Sequence, residues 1–174
     1  ATTPVDPRVL ERFVAVEHAT PGNPSSLHAA GRTARAVLED ARCEVAAALG
    51  TDPDAVVFVS GGTEANNMAI LGAGDPARPV LVSPADHSSV LAPAERRGIR
   101  RLSIDAEGRT TFPADPEELA GAGLVVVSHA QSEIGTLQDV GAARRCADAA
   151  GVPLHVDAAQ TLGRVDLGPA IAAA

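Results

Sequence analysis

The chain has 174 residues, a net charge of −8 and a pI near 5.0, with 45% hydrophobic residues and only three aromatics, Phe13, Phe58 and Phe112. That acidity excludes the broad basic footprint of a nucleic-acid or anionic-membrane binder. The length suits one domain of ordinary size, whose core must be built from Val, Leu, Ile and Ala.

In chain order, the most loop-like stretch is Ala19–Ser26, where Pro21, Gly22, Asn23 and Pro24 cluster. Ala34, Val37, Leu38, Ala41, Val45 and Leu49 recur mostly at three- and four-residue steps, which predicts a helix over Arg32–Leu49 ended by Gly50. The β-branched and aromatic run Val56–Val59 predicts a buried strand, and Glu64–Leu71 a helix. A strand over Pro79–Val82, a helix over Ser88–Arg97 and a strand over Ile99–Ile104 follow. Then come a helical turn at Pro116–Ala120, a strand at Leu124–Val127, a helix at Val140–Ala150 ended by Gly151, and a strand at Val152–Val156. Strands alternating with helices imply βαβ units, hence an α/β fold with a mostly parallel central sheet flanked by helices. No linker separates two domains.

Arg96, Arg97, Arg100 and Arg101 form a local basic cluster, read as a solvated helix end. Cys43 and Cys146 are far apart, have no His or Cys at metal spacing, and read as small buried hydrophobes. No signal peptide, transit peptide or long apolar run is visible, so a reducing, cytoplasmic setting is the simplest reading. The chain opens on Ala1 rather than Met and closes on the helix-like run Ala170–Ala174 with no stop signal, which reads as a fragment.

In an open α/β sheet, ligands sit outside the carboxyl ends of the strands. The residues to inspect are therefore Ser60–Thr63, Ser83–His87, Ser128–Glu133 and Asp157–Gln160. Gly61, Gly62 and Thr63 let backbone N–H groups approach an anion at a helix start. The alternative is a plain strand-to-helix turn with Thr63 as N-cap. Neither a Walker A loop nor the third glycine of a dinucleotide fingerprint is present. Asp157 ends a buried strand and needs a partner, either the protonated ring nitrogen of a ligand or the N–H groups of a helix it caps. Gln160 is placed to hydrogen-bond the same ligand. His87 is suited to stacking on a flat ring or moving protons, against the plainer reading of a solvated loop histidine. His155 reads as a structural histidine, while His18, His28 and His129 belong to no constellation. No pair at zinc spacing exists, so no metal site is expected.

Together the segments ATTPVDPRVLE, GNPSSLHAAGRTAR, VVFVSGGTEANNMAI, DHSSVL, SEIGTLQD and LHVDAAQTLGRVDL resemble the class V pyridoxal-phosphate-dependent enzymes of the aminotransferase superfamily, in their cysteine desulfurase branch. The order holds from Ala1 to Leu167. The resemblance implies the large domain of the aspartate-aminotransferase-like fold. Residues 1–174 would form one partial cofactor-binding domain, with a loop and helix arm over 1–30 and a sheet–helix core over 31–174. It implies that Gly62 and Thr63 bind the phosphate of pyridoxal 5'-phosphate, that His87 stacks on its pyridine ring and serves as acid or base, that Asp157 pairs with the ring nitrogen and that Gln160 reaches the phenolic oxygen. Asn23–His28 matches a substrate-side loop, with Asn23 near the substrate. Ser132 stands where the family usually has an Asn that contacts cofactor or substrate.

The reaction implied is removal of sulfur from L-cysteine, giving L-alanine and an enzyme persulfide. Its sulfur passes to an acceptor protein such as an iron–sulfur scaffold, and the enzyme is a homodimer that binds neither nucleic acid nor membrane. Two departures stand out. All 14 basic residues are arginine, so the Schiff-base lysine is absent from the chain, and neither Cys43 nor Cys146 matches the nucleophilic cysteine. Other readings are a selenocysteine lyase, an aminotransferase or epimerase of the same class, or a short non-catalytic cofactor-binding or interaction module.

Overall fold

The computed structural model of the protein describes residues 3–113 and 115–165. The expected run Ala170–Ala174 lies outside them. The chain divides into two compact units, Ala1–Val57 and Phe58–Ala174.

The first unit holds two helices, α1 (Pro7–Ala19) and α2 (Ala29–Leu49), and a short 3-10 turn, Pro53–Ala55. Asp6 starts α1 by accepting from the Arg8 N–H, with Pro7 at the first helical position. No residue of α1 is buried, and Val9, Leu10, Phe13 and Val14 face out. A groove of about 820 Å³ lies along α1 and α2, lined by Val9, Phe13, Val16, Val37 and Leu38 among others. His28 caps α2 through Nδ1, 3.3 Å from the Gly31 nitrogen. Gly50, in the left-handed region at φ 68°, ends that helix. Cys43 is exposed, contrary to the reading of a buried hydrophobe, because it falls on the outward side of α2.

The second unit is a three-layer α/β arrangement. Four parallel strands run in the order β2 (Ile99–Arg101), β1 (Val80–Val82), β5 (Leu124–Ser128) and β6 (Leu154–Asp157). Successive side chains of a strand point to opposite faces. Val80, Val82, Leu124 and Val126 accordingly pack on one face against Ile70, Val90 and Ala94, which come from α3 (Gly62–Gly72) and α4 (Ser88–Arg97). Leu81, Val125 and Val127 pack on the other against Val140, Ala143 and Ala147 of α5 (Val140–Ala150). Cys146 is half-buried beside this second cluster.

Three expectations need correction. Val56–Val59 is not a strand: Val56 is extended, but no ladder forms, and Val57 and Phe58 are 64% and 45% exposed. β-branched residues favour a strand only where a neighbouring strand offers pairing and cover, and none of the described strands does so here. Ile99–Ile104 is two strands. The Leu102 N–H closes the parallel pairing on the Val82 carbonyl, after which β3 (Ser103–Ile104) pairs antiparallel with β4 (Thr110–Thr111). The turn between them is drawn tight by Asp105, which accepts from the Glu107 and Arg109 N–H groups. Finally, the arginine cluster is not simply solvated. Arg97 donates to the carbonyls of Ile70, Ala73, Asp75 and Arg78, closing the end of α3, and Arg100 donates to those of Glu118 and Ala120. Arg96, which is exposed, and the Arg101–Glu95 pair, with both partners more than half exposed, have the surface character expected.

Asp86 ties the carboxyl ends of the two central strands together. Its Oδ2 accepts from the Ser83 N–H at 2.8 Å and its Oδ1 from the Ser128 N–H at 3.0 Å, with all three residues buried. Burial raises the carboxyl above its ordinary 3.8, the Ser128 and Ser83 hydrogen bonds pull it back in part, and the Asp157 charge adds to the rise.

Two predictions follow from these contacts. Arg97→Ala removes a charged donor from four carbonyls and is expected to cost about 1.5–3 kcal/mol in urea unfolding. For Asp86, the folded state holds the proton more tightly than the unfolded one. Its contribution is therefore fully present below pH 3.8 and declines as pH rises through the raised folded value. The stability advantage of the native protein over Asp86→Asn should shrink as pH rises through that window; an advantage that grows with pH contradicts the assignment.

Candidate functional site

Parallel strands leave all their carboxyl ends on one edge of the sheet, and there the second unit gathers its polar groups. Asp157 is the last residue of β6, in register with Ser128 of β5. Its Oδ1 accepts from the Ala159 N–H at 2.9 Å, closing a turn rather than capping a helix, because among the described residues no helix follows β6. The other oxygen, Oδ2, accepts from the Asn66 side-chain amide at 2.9 Å.

Asn66 joins the site residues to one another. Its Nδ2 also lies 3.0 Å from Ser89 Oγ, and its Oδ1 lies 2.9 Å from His155 Nε2. Ser89 Oγ is 2.8 Å from His87 Nδ1, which in turn caps α4 by accepting from the Ser89 N–H at 3.1 Å. One connected network thus holds His155, Asn66, Asp157, Ser89 and His87. Asn66 is only 3% exposed, whereas the His87 ring is exposed. Burial lowers the His155 imidazole below its ordinary 6.5, with the Asp157 charge opposing that shift in part.

The start of α3 is open in a way that neither packing nor backbone strain explains. Gly61 is the N-cap residue, without any side-chain cap bond, so Thr63 does not cap the helix as the plain reading supposed. A Cβ on Gly61 would meet nothing within 4 Å, and one on Gly62 would meet only Ala159 Cβ at 4.0 Å. The first turn therefore carries backbone donors beneath unfilled space, with the positive end of the α3 dipole behind them. The Gly62–Ala159 approach also places that turn beside the loop that follows Asp157. Glu64 folds back onto the Ser60 N–H and hydroxyl, both at 2.6 Å, and these bonds hold its carboxyl below the ordinary range. An anion-accepting turn, a carboxylate held from both sides and an exposed imidazole suit a ligand with a phosphate and a flat, nitrogen-containing ring.

The remaining residues singled out in the sequence are less tied in. Gln160 is half-buried in the turn after β6, and among the described residues no hydrogen bond links its amide to Asp157 or Asn66. Ser132 is exposed in a loop stapled by Gln131, whose Oε1 accepts from the Glu133 and Ile134 N–H groups. Asn23 lies in the first unit, where its side chain accepts from the Ser25 N–H. His129, assigned to no constellation, is buried with Nδ1 3.0 Å from Thr161 Oγ1, and burial lowers its imidazole. Sequence reading passed over Asn66 and Ser89. A signal for Asn66 existed, since it stands four residues before Ile70 on the inward side of α3, where an apolar residue belongs. Among the described residues no His, Cys, Asp and Glu cluster could hold a metal, and no helix is long and apolar enough to cross a membrane.

Residues 1–168 match the aminotransferase class-V family. The chain is 36% identical to the cysteine desulfurase IscS of Dictyoglomus turgidum, over 95% of its own length and 44% of the relative's. It is also 36% identical to an IscS-like cysteine desulfurase of Mycobacterium tuberculosis, over 96% of its length and 46% of the relative's. Among solved structures, a NifS-like protein superimposes with a TM-score of 0.86 at 29% identity, covering 97% of this chain and 50% of the other. DndA from Streptomyces lividans does so with a TM-score of 0.78 at 32% identity, covering 95% of this chain and 49% of the other. The chain spans about half the length of the relatives it matches. These enzymes use pyridoxal phosphate. The chain belongs to the class-V aminotransferase family.

Proposed function

We propose that this chain is the cofactor-binding part of a cysteine desulfurase and that residues 1–174 belong to its large domain. The observation that carries the reading is that the glycine turn of α3 lies beside the Asp157 loop, where a Cβ on Gly62 would sit 4.0 Å from Ala159 Cβ. The N–H groups of Gly62 and Thr63 hold the phosphate of pyridoxal 5'-phosphate, and the Thr63 hydroxyl adds a donor. Asp157 accepts from the protonated ring nitrogen, His87 lies against the ring, and Gln160 donates to the phenolic oxygen. Bound there, the cofactor supplies an electron sink for chemistry at the substrate α-carbon. Ser132 faces the substrate.

The overall reaction moves one sulfur atom. L-Cysteine and an enzyme thiol give L-alanine and an enzyme persulfide, the thiolate attacking the substrate sulfur as the carbon–sulfur bond breaks. His87 serves as the acid or base within this chain. Such an enzyme also needs a Schiff-base lysine and a nucleophilic cysteine, which none of the 174 residues supplies. The persulfide sulfur passes to an acceptor protein such as an iron–sulfur scaffold, and the enzyme works as a homodimer in the reducing cytoplasm. Both thiols of the chain are free, in keeping with such a setting.

Gly62→Ala tests the phosphate cup. Alanine at the first turn of a helix should leave thermal stability unchanged or slightly raised, while the added methyl crowds the anion. Fluorescence titration is expected to show pyridoxal phosphate binding weakened by about tenfold, or about 1.4 kcal/mol. In parallel, a longer chain that carries these residues together with the lysine and the nucleophilic cysteine, loaded with pyridoxal phosphate and given L-cysteine, should release alanine and sulfane sulfur in equal amounts. Unaltered cofactor affinity in Gly62→Ala, or alanine without sulfur, contradicts the reading.

A further inference from the structure

We infer that Ser89 and Asn66 are positioning residues: Ser89, through its main-chain N–H and its hydroxyl, sets the tautomer and ring orientation of His87, and Asn66 orients that hydroxyl and holds Asp157. The inference rests on the reading of the site just given and extends it to two residues with no assigned role.

The hydrogen-bond directions in the network are forced from its two ends. At one end, the Ser89 N–H donates to His87 Nδ1, so Nδ1 carries no proton and the ring proton sits on Nε2. Ser89 Oγ, 2.8 Å from the same nitrogen, must then donate its own proton to it. With that proton committed, Ser89 Oγ accepts from Asn66, so the group facing it is the Asn66 NH₂. At the other end, Asp157 uses both oxygens as acceptors, which again requires the NH₂ of Asn66 to face it. The two ends agree on the orientation of the amide. Its Oδ1 consequently faces His155 and fixes the proton of that ring on Nε2.

A carboxamide is suited to this post because it offers two donors and an acceptor at once. Buried at 3% exposure, it exchanges these bonds for no water, so each is costly to lose. The functional consequence is a His87 that presents Nε2–H as a donor, with its ring plane held by Ser89. The carboxylate that is to meet a ring nitrogen is held by the same amide.

Ring ¹⁵N–¹H correlation spectra of the histidine-labelled protein, recorded where the imidazoles are neutral, read these tautomers directly. Both His87 and His155 are expected as Nε2–H forms. Ser89→Ala should shift the His87 ring signals, leave those of His155 in place and weaken pyridoxal phosphate binding by about threefold or more; Ser89→Thr, which keeps the hydroxyl, should restore both. Asn66→Ala should shift both rings. If that variant fails to fold, the two Ser89 variants decide the matter. An Nδ1–H form of either ring, or a Ser89→Ala protein whose His87 signals and cofactor affinity match the native ones, overturns the inference. A protein with both tautomers as stated but no affinity for pyridoxal phosphate overturns the cofactor reading instead.

Discussion

Parallel pairing of β1, β5 and β6 is the constraint from which the site descends. It brings Ser83, Ser128 and Asp157 out at one edge, where the main-chain N–H groups of the two serines and the carboxylate of Asp157 need partners. Asp86 answers for the first two, joining the ends of β1 and β5. Asn66, projecting from α3, answers for the third. Two buried polar residues thus hold this edge of the sheet, and both sit where a ligand-binding crevice is expected in an open α/β sheet.

The electrostatics of this edge are uneven. The Asp157 charge adds to the rise that burial gives the Asp86 carboxyl, while Asp157 is held by the Asn66 amide and the Ala159 N–H. Glu64, the remaining acid near the α3 turn, is folded onto Ser60. The first turn of α3 thus carries an ionised carboxylate beside the positive end of the helix dipole. An anion at Gly62 and Thr63 would meet that dipole, and a cationic ring nitrogen would meet the Asp157 carboxylate.

Much of this was legible in the sequence, for reasons that particular elements make plain. α4 and α5 run over the residues predicted because their ends are marked by His87 and Gly98, and by Asp139 and Gly151. The parallel sheet followed from the alternation of apolar runs with helical periods. Val56–Val59 did not, since whether an apolar run becomes a strand depends on a neighbour that local sequence does not name. Ile99–Ile104 hid a change of partner, from β1 to β4, at Leu102. Ser89 and Asn66 were invisible as a pair because they are 23 residues apart and meet only once α3 and α4 have packed. Arg97 read as surface charge, although its partners are backbone carbonyls that carry no sequence signature.

Crystals of the protein grown with pyridoxal 5'-phosphate test the central claim most directly. The account predicts density for the phosphate at the N–H groups of Gly62 and Thr63, the ring nitrogen within hydrogen-bond distance of Asp157, and the His87 ring against the pyridine face. A cofactor bound elsewhere, or one whose phosphate leaves the first turn of α3 untouched, would contradict it.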